Sequence, residues 1–179
     1  LESIDESVEF VRAMQGRRVR AVIAGSEPCV LFADKLSERL GTPCNVAALS
    51  TARRSKYLMH ETLRRSGLKS ARQVLSDDLQ EIFAFHDRVG GKIVLKPEAG
   101  ANTDGVYYCD TRAEIAHAVD HILGAQCFYD DFNGTNTKVL AQEYLSGKQY
   151  LVNTLSSDGH HYVCCLLYTS DAADDEERG

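Results

Sequence analysis

The sequence predicts an α/β fold with α+β character, on three observations. A helix, a short strand and a second helix follow one another up to Gly41. A β-branched run, Lys92-Ile93-Val94-Leu95-Lys96, stops at Pro97 and is soon followed by a second run, Val106-Tyr107-Tyr108-Cys109. Further strand-like runs then crowd the chain after Val139, beyond a clearly signalled helix that starts at Thr111.

Ser3 and Glu6 stand at capping-box spacing, and Ile4, Val8 and Val11 share one helical face, so a helix is expected from Ser3 until Gly16. Val19 to Ala24 reads as a strand, and Pro28 to Leu40 as a helix closed by Gly41. Helix, strand, helix implies a parallel sheet, whose companion strand is expected before Leu1, so the chain is expected to begin mid-domain. From Ser50 to Ser66 the pattern predicts one basic amphipathic helix ended by Gly67. Its arginines and lysine read either as a solvated face or as a site.

Ser76 is expected to open a helix through Leu79, Ile82, Phe83 and Val89, which Gly90-Gly91 ends. The two runs at 92–97 and 105–109 then form a hairpin-like pair around the 98–104 loop. Thr111 and Glu114 predict a capping box, with Ile115, Val119 and Ile122 as the buried stripe up to Gly124. The segment 130–137 is polar and turn-rich. Strands are expected over 139–145, 149–155 and 160–164, with turns at Ser146-Gly147 and Ser157-Asp158-Gly159.

The chain has 179 residues, 44% of them hydrophobic, which allows a real core. No apolar stretch is long enough for a membrane helix, and Leu1-Glu2-Ser3-Ile4-Asp5 lacks the basic-then-apolar order of a signal peptide, so the cytoplasm is the expected location. Six scattered cysteines with no CxxC pair read as reduced thiols. A net charge of -6 argues against a nucleic-acid partner.

Gly100-Ala101-Asn102-Thr103-Asp104-Gly105 has P-loop glycine spacing, but Val106-Tyr107 stand where Lys and Ser/Thr are needed, so a Walker motif is rejected. Ala24-Gly25-Ser26-Glu27 does not supply the three glycines of a dinucleotide fold. What remains is Lys96, at the end of a strand before a small-residue loop, where an ammonium and free backbone N–H groups can meet phosphate oxygens.

The order of four pieces is similar to the ATP-grasp superfamily. They are Arg53-x-x-Lys56-x-x-Met59; Gly67-Leu68; Val94-Leu95-Lys96-Pro97-Glu98-Ala99-Gly100 with Asp104-Gly105-Val106; and Val139-Leu140-Ala141-Gln142-Glu143-Tyr144-Leu145-Ser146-Gly147. The resemblance covers about 22–163. It implies an ATP-grasp fold fragment with a partial Rossmann-like pre-ATP-grasp domain. It further implies that Lys56 and Lys96 hold ATP phosphates under a mobile loop of Gly100, Ala101, Asn102, Thr103, Asp104 and Gly105. Gln142, Glu143, Tyr144 and Leu145 match the hinge strand that reads adenine, with Gln142 or Glu143 accepting from its amine.

The family usually has Glu where this chain has Gln149, which implies a weaker grip on the ribose. The implied activity is ATP-dependent joining of a carboxylate to an amine, with ATP and Mg2+ as cofactors. A small carboxylate or amino acid is the implied partner of ATP. The run from Gln142 to Gly159 looks most like L-amino-acid ligases that form dipeptides; a bicarbonate-activating relative and a non-catalytic nucleotide-binding module are the rival readings. The metal ligands are expected in a segment beyond Val163, catalytic residues are not identified, and neither a metal site nor an oligomeric state is assigned. His117 and His121, one turn apart, read as a solvent-facing pair, and His160-His161 point to opposite strand faces.

From Cys165 the sequence abandons its strand pattern and holds five acids against one arginine, a net of -4. Cys165-Leu166-Leu167-Tyr168-Thr169-Ser170-Asp171-Ala172-Ala173-Asp174-Asp175 resembles one reading frame of the transposase mosaic-end adapter used in DNA library preparation. The expected organisation is therefore a partial pre-ATP-grasp α/β domain over 1–48 and a helical first subdomain over 49–91. An ATP-binding lid with hinge strands follows over 92–164, and a non-native tail over 165–179.

Overall fold

A computed structural model describes residues 3–14, 17–98, 105–127 and 134–169. The chain forms two compact units, Leu1–Tyr144 and Leu145–Gly179.

In the first unit, α1 (Ile4–Ala13) is capped by Ser3, whose side chain accepts from the Glu6 amide. After a 3-10 turn at Glu27–Cys29, α2 (Val30–Leu40) ends at Gly41 with φ 67°, the left-handed cap the sequence predicts. The strand expected at Val19–Ala24 is not formed. Strand backbone needs a neighbour for its N–H and C=O groups, none among the described residues pairs with it, and Ile23 is 85% exposed.

The helix expected over 50–66 is two helices, α3 (Ser50–Arg54) and α4 (Lys56–Arg65), broken at Ser55 with ψ 118°. Ser55 is the N-cap of α4, its Oγ accepting from the Leu58 amide at 3.0 Å. A strand missed by the sequence pattern follows, β1 (Gln73–Ser76). Ser76 therefore closes a strand and does not open a helix; Asp78 caps α5 (Leu79–Val89), accepting from the Gln80 amide at 2.8 Å.

The next elements are β2 (Ile93–Pro97), β3 (Tyr107–Cys109) and α6 (Arg112–Ile122), the last with its full Thr111–Glu114 capping box. The turn-rich stretch holds part of a two-stranded ribbon, β4 (Gln126–Cys127) with β5 (Gly134–Thr135); residues 128–133 lie outside the described set. The unit closes with β6 (Val139–Glu143).

The four strands form an antiparallel sheet in the order β1-β6-β2-β3. Alternation divides its side chains. Ile93, Leu95, Cys109, Val139 and Ala141 meet Ile82 and Phe85 of α5 and Ile115, Ala118, Val119 and Ile122 of α6. Ile82, Ile93, Leu95 and Ile115 are fully buried, each worth about 1.5–3 kcal/mol relative to exposure. This layer is the core. The opposite face carries Lys96, Leu140, Gln142 and Gln73, because Lys96 is registered against Leu140, and Gln142 against Gln73. On that side α4 is tied to the sheet edge, with Gln73 Nε2 donating to the Tyr57 carbonyl at 2.9 Å and Arg64 Nη2 to the Ala71 carbonyl at 2.8 Å.

The second unit contains one hairpin, β7 (Gln149–Ser157) and β8 (His160–Thr169), turning through Asp158 and Gly159, both at positive φ. The strand pattern does not stop at Cys164 as expected: Cys165, Leu166 and Leu167 pair with Asn153, Val152 and Leu151. The run Cys-Leu-Leu-Tyr-Thr is acceptable strand sequence when a long partner is available. The register shifts where Thr154 faces Val163 and Asn153 faces Cys165, leaving Cys164 as the extra residue of a bulge.

Candidate functional site

Lys96 is the last residue of β2 before Pro97, which cannot extend a ladder. It is half-buried on the sheet face away from the core helices. Lys56 is the first residue of α4. Two hydrogen bonds bring that helix start to the end of β2: Ser55 Oγ donates to Glu98 Oε1 at 2.5 Å, and the Lys56 amide donates to the Glu98 carbonyl at 3.3 Å. The start of the Lys56 helix is thereby fastened to the end of the Lys96 strand. Burial, and then the charge of Lys56, push the Lys96 pKa below its ordinary value. Among the described residues no carboxylate forms an ion pair with Lys96.

His60 lies one turn further along α4, with its Nδ1 buried and, among the described residues, without a hydrogen-bond partner. Its pKa is lowered by burial first, then by Lys96 and Arg64, against a smaller opposing effect of Glu61. Sequence reading passed over this residue, although its spacing of four from Lys56 on one helix was a usable signal.

The base of the predicted loop is defined by Pro97 and Gly105. Gly105 has φ 69°, and a Cβ built on it would lie 3.1 Å from both Cγ and Cδ of the Pro97 ring. Only glycine fits there without strain. Gly100, Ala101, Asn102, Thr103 and Asp104 lie outside the described residues.

The predicted hinge residues diverge. Gln142 is buried, faces the same side as Lys96, and donates through Nε2 to Gln73 Oε1 at 2.9 Å. Glu143 faces the other way and is held by Arg72, whose backbone amide donates at 2.8 Å and whose Nε donates at 2.5 Å. The Arg72 amide is the main cause of its lowered pKa, and the Arg72 side chain adds to it. Of the two residues, Gln142 is on the lysine face. Tyr144 donates its amide to the Lys92 carbonyl at 3.2 Å, and its ring takes an edge contact from Tyr108 and lies 5.5 Å from the Lys92 ammonium. Leu145 is 66% exposed at the start of the second unit, where Gln149 begins β7.

Among the described residues no group of three or more His, Cys, Asp and Glu converges as a metal site. His117 and His121 are exposed and their rings lie 4.0 Å apart, with His121 Nδ1 2.8 Å from the His117 carbonyl. His160 and His161 are exposed too, the latter bonded to Ser156 Oγ at 2.7 Å. No described helix is long and apolar enough to cross a membrane. A cleft lined by Arg12, Arg17, Arg18 and Arg20 contains none of the predicted site residues.

The four-stranded antiparallel sheet has its core helices on one face and Lys96 on the other, with Lys56 at the start of α4 tied to the end of β2. The chain is 39% identical over 163 residues to dapdiamide A synthase of Enterobacter agglomerans, covering 88% of this chain and 37% of that protein. Among solved structures, the L-amino acid ligase of Bacillus licheniformis aligns at a TM-score of 0.70 with 21% identity, covering 96% of this chain and 38% of that one. The N5-carboxyaminoimidazole ribonucleotide synthetase solved as an ADP complex aligns at 0.70 with 12% identity, covering 95% and 42%. No protein-family model matches. The chain has the fold of these ATP-grasp ligases. It spans about two fifths of the length of the relatives it matches.

Proposed function

We propose that this chain is the nucleotide-binding part of an ATP-dependent ligase that joins a carboxylate to an amine, both supplied by amino acids. In the reaction the γ-phosphoryl group of ATP passes to a carboxylate oxygen, giving ADP and an acyl phosphate. The amine then attacks the acyl carbon, forming the C–N bond and releasing phosphate and a proton. The observation that carries this reading is the Lys56–Lys96 pair. Two cations held together, one of them half-buried and without a carboxylate partner among the described residues, are relieved by a phosphate chain.

In this reading Lys56 and Lys96 orient the phosphates, the loop based on Pro97 and Gly105 closes over them, and Gln142 meets the adenine edge. Glu143 is left to fix the hinge through Arg72, and Tyr144 and Leu145 supply backbone to the nucleotide. Gln149 grips the ribose without charge assistance. Mg2+, when bound, neutralises the developing phosphoryl charge. The expected domain boundaries at 48, 91 and 164, and a non-native tail over 165–179, belong to the same proposal, with the cytoplasm as its setting. Resequencing the locus tests the tail; a genomic read encoding it removes that part.

The activity is tested on the full-length protein with ATP, Mg2+ and a pool of amino acids, reading phosphate release. Release that depends on amino acids supports the ligase. Release that depends on bicarbonate instead points to the bicarbonate-activating alternative, and ATP binding without release to a non-catalytic nucleotide-binding module.

A further inference from the structure

His60 and Lys56 are four residues apart on α4, so their side chains leave the same face of the helix. The groups acting on the imidazole come from two elements. Lys96 of β2 and Arg64 of α4 oppose its protonation, Glu61 of α4 favours it, and Lys56 stands one turn away. Glu61 is already engaged, by an ion pair with Arg64 and by Gln73 Nε2 at 2.9 Å. Among the described residues Nδ1 has no partner, and it is shut off from solvent, an arrangement that costs free energy unless something completes it. A protonated ring here would add a further positive charge beside Lys96. Burial, and then the charges of Lys96 and Arg64, favour the neutral ring.

We propose that His60 is a proton-linked member of the phosphate site: its ring takes up a proton when the phosphates of a nucleoside triphosphate settle against Lys56 and Lys96. This rests on the phosphate-site reading above. A triphosphate brings several negative charges to the two lysines and reverses the field at the ring. The ring then accepts a proton from solvent and becomes a donor at both nitrogens. Because protonation follows ATP, ATP must also follow protonation: binding takes up protons through this residue, and affinity rises as pH falls.

The test uses histidine NMR on the whole chain, with the His60 resonance identified by its absence in His60→Gln, or by sequential assignment if that variant does not fold. Without ATP the ring should titrate below the ordinary histidine value of 6.5; with saturating ATP its midpoint should move upward. Between pH 8 and pH 6 the affinity for ATP should rise about threefold or more relative to His60→Gln, in which the ionisation of ATP itself is unchanged. An unmoved His60 midpoint in an ATP-saturated chain overturns the coupling and leaves the phosphate site standing. Absence of ATP binding at any pH overturns both.

Discussion

Ser55 Oγ lies 2.5 Å from Glu98 Oε1, and through this bond the residue that starts α4 is fastened to the residue that follows β2. The same hydroxyl oxygen accepts from the Leu58 amide. One side chain thus caps the helix that Lys56 begins and ties it to the residue that follows the Lys96 strand.

Ser55→Ala removes both roles and should cost about 1–2 kcal/mol of stability, read by thermal or urea unfolding. Glu98→Gln keeps the cap and should cost less, while both should weaken ATP binding. Unchanged ATP affinity in both variants would show that the tie does not position Lys56.

Gly105→Ala meets two obstacles, a left-handed backbone and the Pro97 ring 3.1 Å away. The expected loss is about 1–3 kcal/mol, with unfolding measured against Gly91→Ala, whose added Cβ meets nothing within 4 Å. Equal stability of the two variants would contradict the crowding at the loop base.

Lys96→Met should stabilise the unliganded chain by roughly 0.5–2 kcal/mol, because it removes a half-buried charge beside Lys56. The sign follows from the lowered pKa. Between the folded value and the ordinary Lys value of 10.5 the unfolded chain holds more protons, so wild-type stability rises with pH through that window. That rise should be absent from the pH profile of Lys96→Met unfolding. A variant that is less stable at neutral pH would mean the ammonium is better compensated than the geometry indicates.

Gln142→Leu should weaken ATP more than inorganic triphosphate, since only ATP has an adenine edge to lose. Equal weakening of both ligands, compared by calorimetry, would return the adenine role to another residue.

Helix ends were legible because caps are local: Ser3, Gly41, Gly90 and the Thr111–Glu114 box all stand where the sequence put them. The break at Ser55 was not, because there the serine binds Glu98, a partner 43 residues away. β1 was too short and mixed to stand out as Gln73-Val74-Leu75-Ser76, and it is a strand because β6 lies beside it. For the candidate site, motif order singled out the two lysines and Gly105 in advance of the structure, whereas separating Gln142 from Glu143 needed the register that sends them to opposite faces. The expected strand at 19–24 failed for the complementary reason, having local propensity and no described partner.

If Lys96 holds nucleotide phosphates, calorimetric titration of ATP into wild type and Lys96→Ala will separate the two proteins. A charge-assisted contact of about 1.5–3 kcal/mol predicts a loss of roughly tenfold or more in affinity in a variant that remains folded. Equal affinity of the two proteins for ATP would contradict it.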